Sequence, residues 1–258
     1  MQRWKIIIEY NGNGFSGWQR QADDIASVQQ SIEEALTKFC QQKIILHVAG
    51  RTDAGVHALG QVAHFDLDYS DRPLEGFDLA KALNYHLSPL PISIVHAEKA
   101  APEFHARFHA VNKLYRYRIV QRSAPPVLER CLVWYCKKKL VAEAMHEAAQ
   151  CLLGHHDFST FRAAECQAKS PMKTLDRLDV AERDYDAYGG TEIIIEAEGR
   201  SFLHHQVRNF VGTLALVGEG KWSAADLKAA LEARDRTKGG PTAPPDGLYL
   251  VRIDYPQS

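Results

Sequence analysis

One carboxylate in this chain is set where a reacting group belongs. Asp53 stands in the run Ala49-Gly50-Arg51-Thr52-Asp53-Ala54-Gly55-Val56-His57-Ala58, between two glycines and two residues after an arginine. Glycine lets the backbone take conformations that other residues resist and lets a ligand approach closely. The run follows Ile44-Ile45-Leu46-His47-Val48, an apolar, β-branched stretch that predicts a strand. Catalytic side chains are often carried on loops held by such a scaffold. An aspartate kept ionised by the opposite charge of Arg51 suits a nucleophile or a base. The same spacing fits a plainer arrangement, in which Asp53 caps a turn and Arg51 pairs with it at the surface.

Rival chemistries find little support. His155 and His156 are adjacent, as are His204 and His205. Neighbouring residues point in different directions, so neither pair is expected to give two ligands to one ion. His105 and His109 lack an H-E-x-x-H frame, and there is no G-x-S-x-G or Walker sequence. The loop Asn11-Gly12-Asn13-Gly14 reads as a flexible connection before it reads as a phosphate cradle. Arg208 is more informative. It sits in the otherwise apolar stretch Phe202–Val217, with Gly212 one turn on to permit close backbone approach. A cation on the inner face of such a helix needs a partner, and Asp53 is a candidate. An outward-facing Arg208 fits the same pattern.

The elements that must hold these residues alternate along the chain. Lys5–Tyr10 predicts a strand, and Ser27 begins a helix with Gln30 at the capping-box position. Val28, Ile32, Ala35, Leu36 and Phe39 recur at helical spacing. Val62–Leu67 alternates as a strand; Phe77–Leu87 is a helix closed by Pro89 and Pro91; Ile92–Ala97 is a further strand. Val111–Val120 predicts a strand, Leu140–Leu153 a helix, Leu175–Arg183 and Glu192–Ala197 two strands. Helices over Phe202–Val217 and from Ser223 to Ala233 precede a last strand, Leu248–Ile253. Paired strands mixed with helices argue an α+β fold. A boundary is expected near residue 106, giving halves 1–106 and 107–258.

The chain has 258 residues, an apolar fraction of 45% and a net charge of −1, so a sizeable core is possible and no global charge points to nucleic acid. Local charge does: Arg107, Lys113, Arg116, Arg118 and Arg122 interleave with His105, His109, Tyr115 and Tyr117. The plainer reading makes these ordinary solvated strand faces. Five cysteines without a C-x-x-C pattern, no leader pattern and no long apolar run point to the reducing cytoplasm.

Several of these segments together resemble the tRNA pseudouridine synthase A family, which acts on the anticodon stem-loop. The resemblance runs through Phe15-Ser16-Gly17-Trp18-Gln19-Arg20-Gln21, Gly50–Ala58, Asn112-Lys113-Leu114-Tyr115-Arg116-Tyr117 and Asp157-Phe158-Ser159-Thr160-Phe161-Arg162. It continues in Phe202-Leu203-His204-His205-Gln206-Val207-Arg208-Asn209 and Ala243-Pro244-Pro245-Asp246-Gly247-Leu248-Tyr249-Leu250. The resemblance implies isomerisation of uridine to pseudouridine at tRNA positions 38, 39 and 40, without metal or organic cofactor. It implies that Asp53 is catalytic, that Arg51 helps extrude the nucleotide, that Tyr115 stacks on the uracil, that Arg208 pairs with the aspartate and that Leu248 lines the base pocket. The implied fold has two similar α+β halves on one bent, mainly antiparallel mixed sheet with a central cleft. A homodimer and tRNA as the partner are implied as well. Lys173 stands where relatives often have arginine, and it offers a point charge in place of a bidentate fork. An RNA-binding module without catalysis and a base-releasing glycosidase are the alternatives.

Overall fold

The computed structural model describes residues 1–21, 25–69 and 73–256. The chain forms two compact units: Met1–Val111 together with the C-terminal segment from Tyr249, and Asn112–Leu248. Against the expected halves, the last strand belongs with the first unit. Tyr249 and Leu250 pair with His57 and Ala58, and the Val111 amide donates to the Asp254 carbonyl.

In the first unit, β1 (Gln2–Tyr10) lies antiparallel between β3 (His57–Leu67) and β4 (Ile92–Ala100). The two-residue β2 (His47–Val48) and the parallel β11 (Leu248–Asp254) also pair with β3. Period-two alternation puts Trp4, Ile6, Ile8 and Tyr10 on the buried face of β1. Two helices, α1 (Val28–Cys40) and α2 (Gly76–Leu87), cover the sheet through Val28, Ile32, Leu36, Leu79, Leu83 and Leu87. Ser27 caps α1 by accepting from the Gln30 amide, but the expected reciprocal bond is missing because the Gln30 side chain turns to Glu34 one turn on.

The second unit repeats the design. Strands β5 (Asn112–Gln121), β10 (Thr191–Gly199) and β9 (Arg177–Asp184) are antiparallel neighbours, and β6 (Trp134–Cys136) runs parallel to β5. A small hairpin-like sheet joins β7 (Gly154–Asp157) to β8 (Met172–Leu175). Helix α3 (Ala142–Ala149) packs on β9, and α4 (Gln206–Gly218) is buried almost all round. Helix α5 (Ala224–Ala233) opens on a complete capping box of Ser223 and Asp226. Among the described residues the fold is α+β, with mainly antiparallel strands carrying five α-helices. Among the described residues no helix is long and apolar enough to cross a membrane.

Candidate active site

The Asp53 loop is held by its main chain. It leaves β2 with the Ala49 amide on the Val62 carbonyl, and the Gly50 carbonyl accepts from the Gln61 side chain at 2.8 Å. The Trp18 amide then donates to the Thr52 carbonyl at 3.0 Å, and the Val56 amide to the Asp53 carbonyl at 3.1 Å. Backbone bonds thus pin the chain on both sides of the half-buried carboxylate. Beneath it, the Thr52 hydroxyl meets the buried Tyr10 hydroxyl at 2.8 Å. Burial pushes the Tyr10 phenol up to about 12, so it stays neutral as part of the loop's support. His57 closes the turn: its Nδ1 accepts from the Gly12 amide at 3.0 Å, and its ring stacks on Tyr249 at 4.7 Å.

Close backbone approach at glycine does occur here, at two positions outside the Gly50–Ala58 run. Gly17 has φ +99°, and a Cβ there would stand 2.7 Å from the Thr52 carbonyl. A Cβ on Gly12 would overlap the Val56 carbonyl. The loop from Asn11 to Gln21 therefore embraces the Asp53 loop from a distance only glycine allows. Arg51 corrects an expectation. Its side chain is exposed and, among the described residues, makes no ion pair, so the local pair with Asp53 that the spacing permits is not formed.

Tyr115, Arg208 and Leu248 fall in the second unit. Tyr115 is buried on β5, edge-on to Phe202 with centroids 5.1 Å apart. Helix α4 starts at Gln206 instead of Phe202, because His205 takes a left-handed conformation (φ 63°) and the Gln206 side chain accepts from the Leu203 amide. Arg208 thus sits in the first turn of α4, half-buried. Its Nε donates to the Ala243 carbonyl at 2.8 Å, while its own carbonyl accepts from the Ala243 amide. Gly212 makes this approach possible, since a Cβ there would overlap the Pro241 carbonyl. Beside Arg208 lies the buried Tyr117, whose hydroxyl donates to the Pro244 carbonyl. Burial raises that phenol far above its usual range, with Arg208 pulling the other way. The Ala243–Gly247 turn leads into Leu248, buried at the start of β11.

The same left-handed His205 overturns the expectation for adjacent histidines: the His204 and His205 rings face each other at 4.1 Å. His155 and His156, on a strand, do point apart, to Thr174 and to the Leu153 carbonyl. The basic run on β5 also changes character. Arg116 lies opposite Glu196 in register and bonds it; Arg118 bonds Glu192 and Glu129; Arg122 bonds Asp186. These three cations are neutralised by carboxylates of β10 and of the neighbouring turns. The Lys173 ammonium is occupied by the Ser170 and Met172 carbonyls.

Comparison with known proteins decides the family. The profile described as tRNA pseudouridine synthase matches residues 6–109 and 148–256. Relatives named tRNA pseudouridine synthase A include one from Paramagnetospirillum magneticum, 58% identical over all of this chain and 97% of its own. Another, from Rhodospirillum rubrum, is 54% identical over 99% of this chain and 88% of its own. A third, from a Methylobacterium, is 52% identical over 100% and 99%. The chain belongs to the tRNA pseudouridine synthase family. It is an enzyme of the isomerase class, not a binding module. In this synthase the residues that motif reading missed are the supports: Tyr10, Gln61 and the Asn209 side chain. Asn209 ties α4 to the Phe161 carbonyl, to Thr242 and to Arg236. Tyr10 carried a readable signal, as a hydroxyl falling on the apolar face of a strand and so needing a buried partner.

Proposed function

We propose that this isomerase converts uridine to pseudouridine at positions 38, 39 and 40 in the anticodon stem-loop of tRNA, with Asp53 starting cleavage of the N1–C1′ bond. The observation that carries the reading is the Asp53 loop, a carboxylate on a backbone pinned at Thr52 and at Asp53 itself, in a chain of this family. Such fixed presentation is what positioning a reacting group requires. The reaction breaks N1–C1′, turns the uracil and joins C5 to C1′; C5 gives up its proton and N1 gains one. The target nucleotide must leave its stack first, and a loop lowers that cost because its bases are partly unstacked. Attack at C1′, addition to the ring and removal of a sugar proton are three routes for the carboxylate. All require it ionised and aimed.

The other roles follow the motifs. Tyr115 stacks on the uracil, a contact worth about 1–3 kcal/mol per base. Arg208 provides the counter-charge for Asp53, and its doubly bonded link to Ala243 supports a fixed orientation. Arg51, exposed and in no ion pair among the described residues, is suited to helping the nucleotide out of the helix. Leu248 lines the base pocket. The enzyme needs no cofactor, works in the cytoplasm on tRNA and acts as a homodimer; a protomer mass by light scattering would remove the last point.

The test is product chemistry. Wild-type enzyme should release tritium from C5-labelled uridine in tRNA, and digestion should yield pseudouridine and no free uracil. Asp53→Asn should release none while binding tRNA as the wild type does. Turnover by Asp53→Asn ends the assignment, and free uracil would make the enzyme a glycosidase.

A further inference from the structure

Away from the Asp53 loop, the first unit presents a rigid loop with an exposed aromatic and a cation at its tip. Phe108 is 66% exposed, with His105 against it at a centroid distance of 4.2 Å and the Arg107 guanidinium 5.9 Å from its ring. Arg107 is exposed too and, unlike the arginines of β5, makes no ion pair among the described residues. What holds this tip is a set of imidazoles used as acceptors. His64 Nδ1 accepts from the Ala106 amide, and His105 Nδ1 from the amides of Arg107 and Phe108. Arg3 and the Tyr255 hydroxyl bond the Phe104 and Ala106 carbonyls on the other side. The loop that carries this exposed ring is ordered in advance of any partner. Preorganisation of that kind favours binding, because less conformational freedom is lost on contact.

The position is set by β3, which begins at His57 beside the Asp53 loop and passes His64 seven residues later. At strand rise, that separates the two loops by about 23 Å. We propose that the loop from Phe104 to His109 is a second RNA contact, in which Phe108 stacks on an unpaired base of tRNA and Arg107 holds a neighbouring phosphate. A ring and an unpaired guanidinium side by side match a base and its phosphate; an apolar protein partner would leave the guanidinium unmatched. The inference rests on tRNA being the substrate.

The experiment measures binding of an unmodified tRNA transcript to the full-length enzyme by fluorescence anisotropy across a salt series. Phe108→Ala should raise Kd by about 5- to 150-fold, the loss of one stacked base. KM for tRNA should rise in step, and Phe108→Trp should keep wild-type affinity. Arg107→Ala should weaken binding and lower the slope of log K against log salt by about 1. Unchanged Kd in Phe108→Ala, from an enzyme that binds and modifies tRNA in its wild-type form, overturns this inference alone. A wild type that neither binds nor modifies tRNA overturns the reading beneath it as well. If Phe108→Ala instead breaks a dimer in light scattering at unchanged tRNA affinity per protomer, the tip is a protein contact and the RNA assignment is lost.

Discussion

Replacing Gly17 by alanine should damage catalysis through the main chain of a loop it only touches. Gly17 has φ +99°, and its new Cβ would lie 2.7 Å from the Thr52 carbonyl and 3.1 Å from the Asp53 carbonyl carbon and the Ala54 amide. Those neighbours are backbone and cannot swing aside. Relaxing 2.7 Å to the 3.4 Å of ordinary contact shifts the Thr52–Asp53 segment by about 0.7 Å. A misplacement near 1 Å costs on the order of 100-fold in rate, so kcat should fall by about 10- to 100-fold. The backbone strain of a left-handed alanine and the overpacking add to about 2–4 kcal/mol of lost stability. For a chain of this size that lowers the melting temperature by roughly 5–12 °C. Gly14→Ala is the control. Gly14 also has positive φ, +84°, but a Cβ there meets nothing within 4 Å. It should lose stability from the backbone conformation and keep its kcat. Single-turnover pseudouridine formation at a temperature where both variants are folded, with melting curves alongside, separates the two effects. Equal kcat in the two variants would refute the claim that the 11–21 loop aims Asp53.

Two further perturbations read the energetics of the scaffold. Burial, with His105, His47 and Arg3 nearby and Asp66 opposing, holds the His64 imidazole down to about 4. The unfolded chain therefore takes up that proton first, and the stability His64 contributes is present above about pH 6.5 and lost as pH falls to about 4. The loss is at most about 3 kcal/mol, and about half of that once solvent screening at the exposed His47 side is counted. Urea unfolding of wild type and His64→Asn between pH 7 and pH 4 should show the wild type falling more steeply; parallel curves would remove the effect. Glu192, buried at 1% exposure, receives both Arg118 and Arg183 at 2.5 Å. Glu192→Ala leaves the half-buried Arg118 with Glu129 as its one carboxylate and should cost about 2–3 kcal/mol in chemical denaturation. A change below about 1 kcal/mol would mean the network is dispensable.

Much of the architecture is legible in side-chain periodicity, and the exceptions share a cause. The alternation of Trp4, Ile6, Ile8 and Tyr10 predicts β1 because that face is buried by helices the same chain supplies. Ile44–Val48 looks like a strand of equal strength, yet only His47 and Val48 pair. Ile44 and Leu46 are buried all the same, so burial was legible there and hydrogen bonding was not. The short strands β6, β7 and β8 carry three or four residues each, too few for a period to register. The early start expected for α4 fails at His205, where one left-handed residue decides the boundary. Histidine is enriched among the few non-glycine residues at positive φ, but most histidines take ordinary conformations, so residue type alone does not single out His205.

The site divides along the same line. Asp53 and its glycines are readable because Gly55 takes a left-handed φ of 78° that favours glycine, and that need leaves a visible spacing. The partners in close backbone approach are not readable, because Gly17 meets Thr52 and Gly212 meets Pro241 across long stretches of chain. Arg51 and the β5 arginines show the reverse error. A cation close in sequence to a carboxylate need not touch it, whereas Arg116 and Glu196, eighty residues apart, face each other in strand register. Charge counted along the chain therefore overstates the basic surface open to RNA, and pairing across strands decides what is left. By that criterion Arg51 and Arg107, both exposed and both without an ion pair among the described residues, are better guides to where RNA lies than the longer basic run between Lys113 and Arg122.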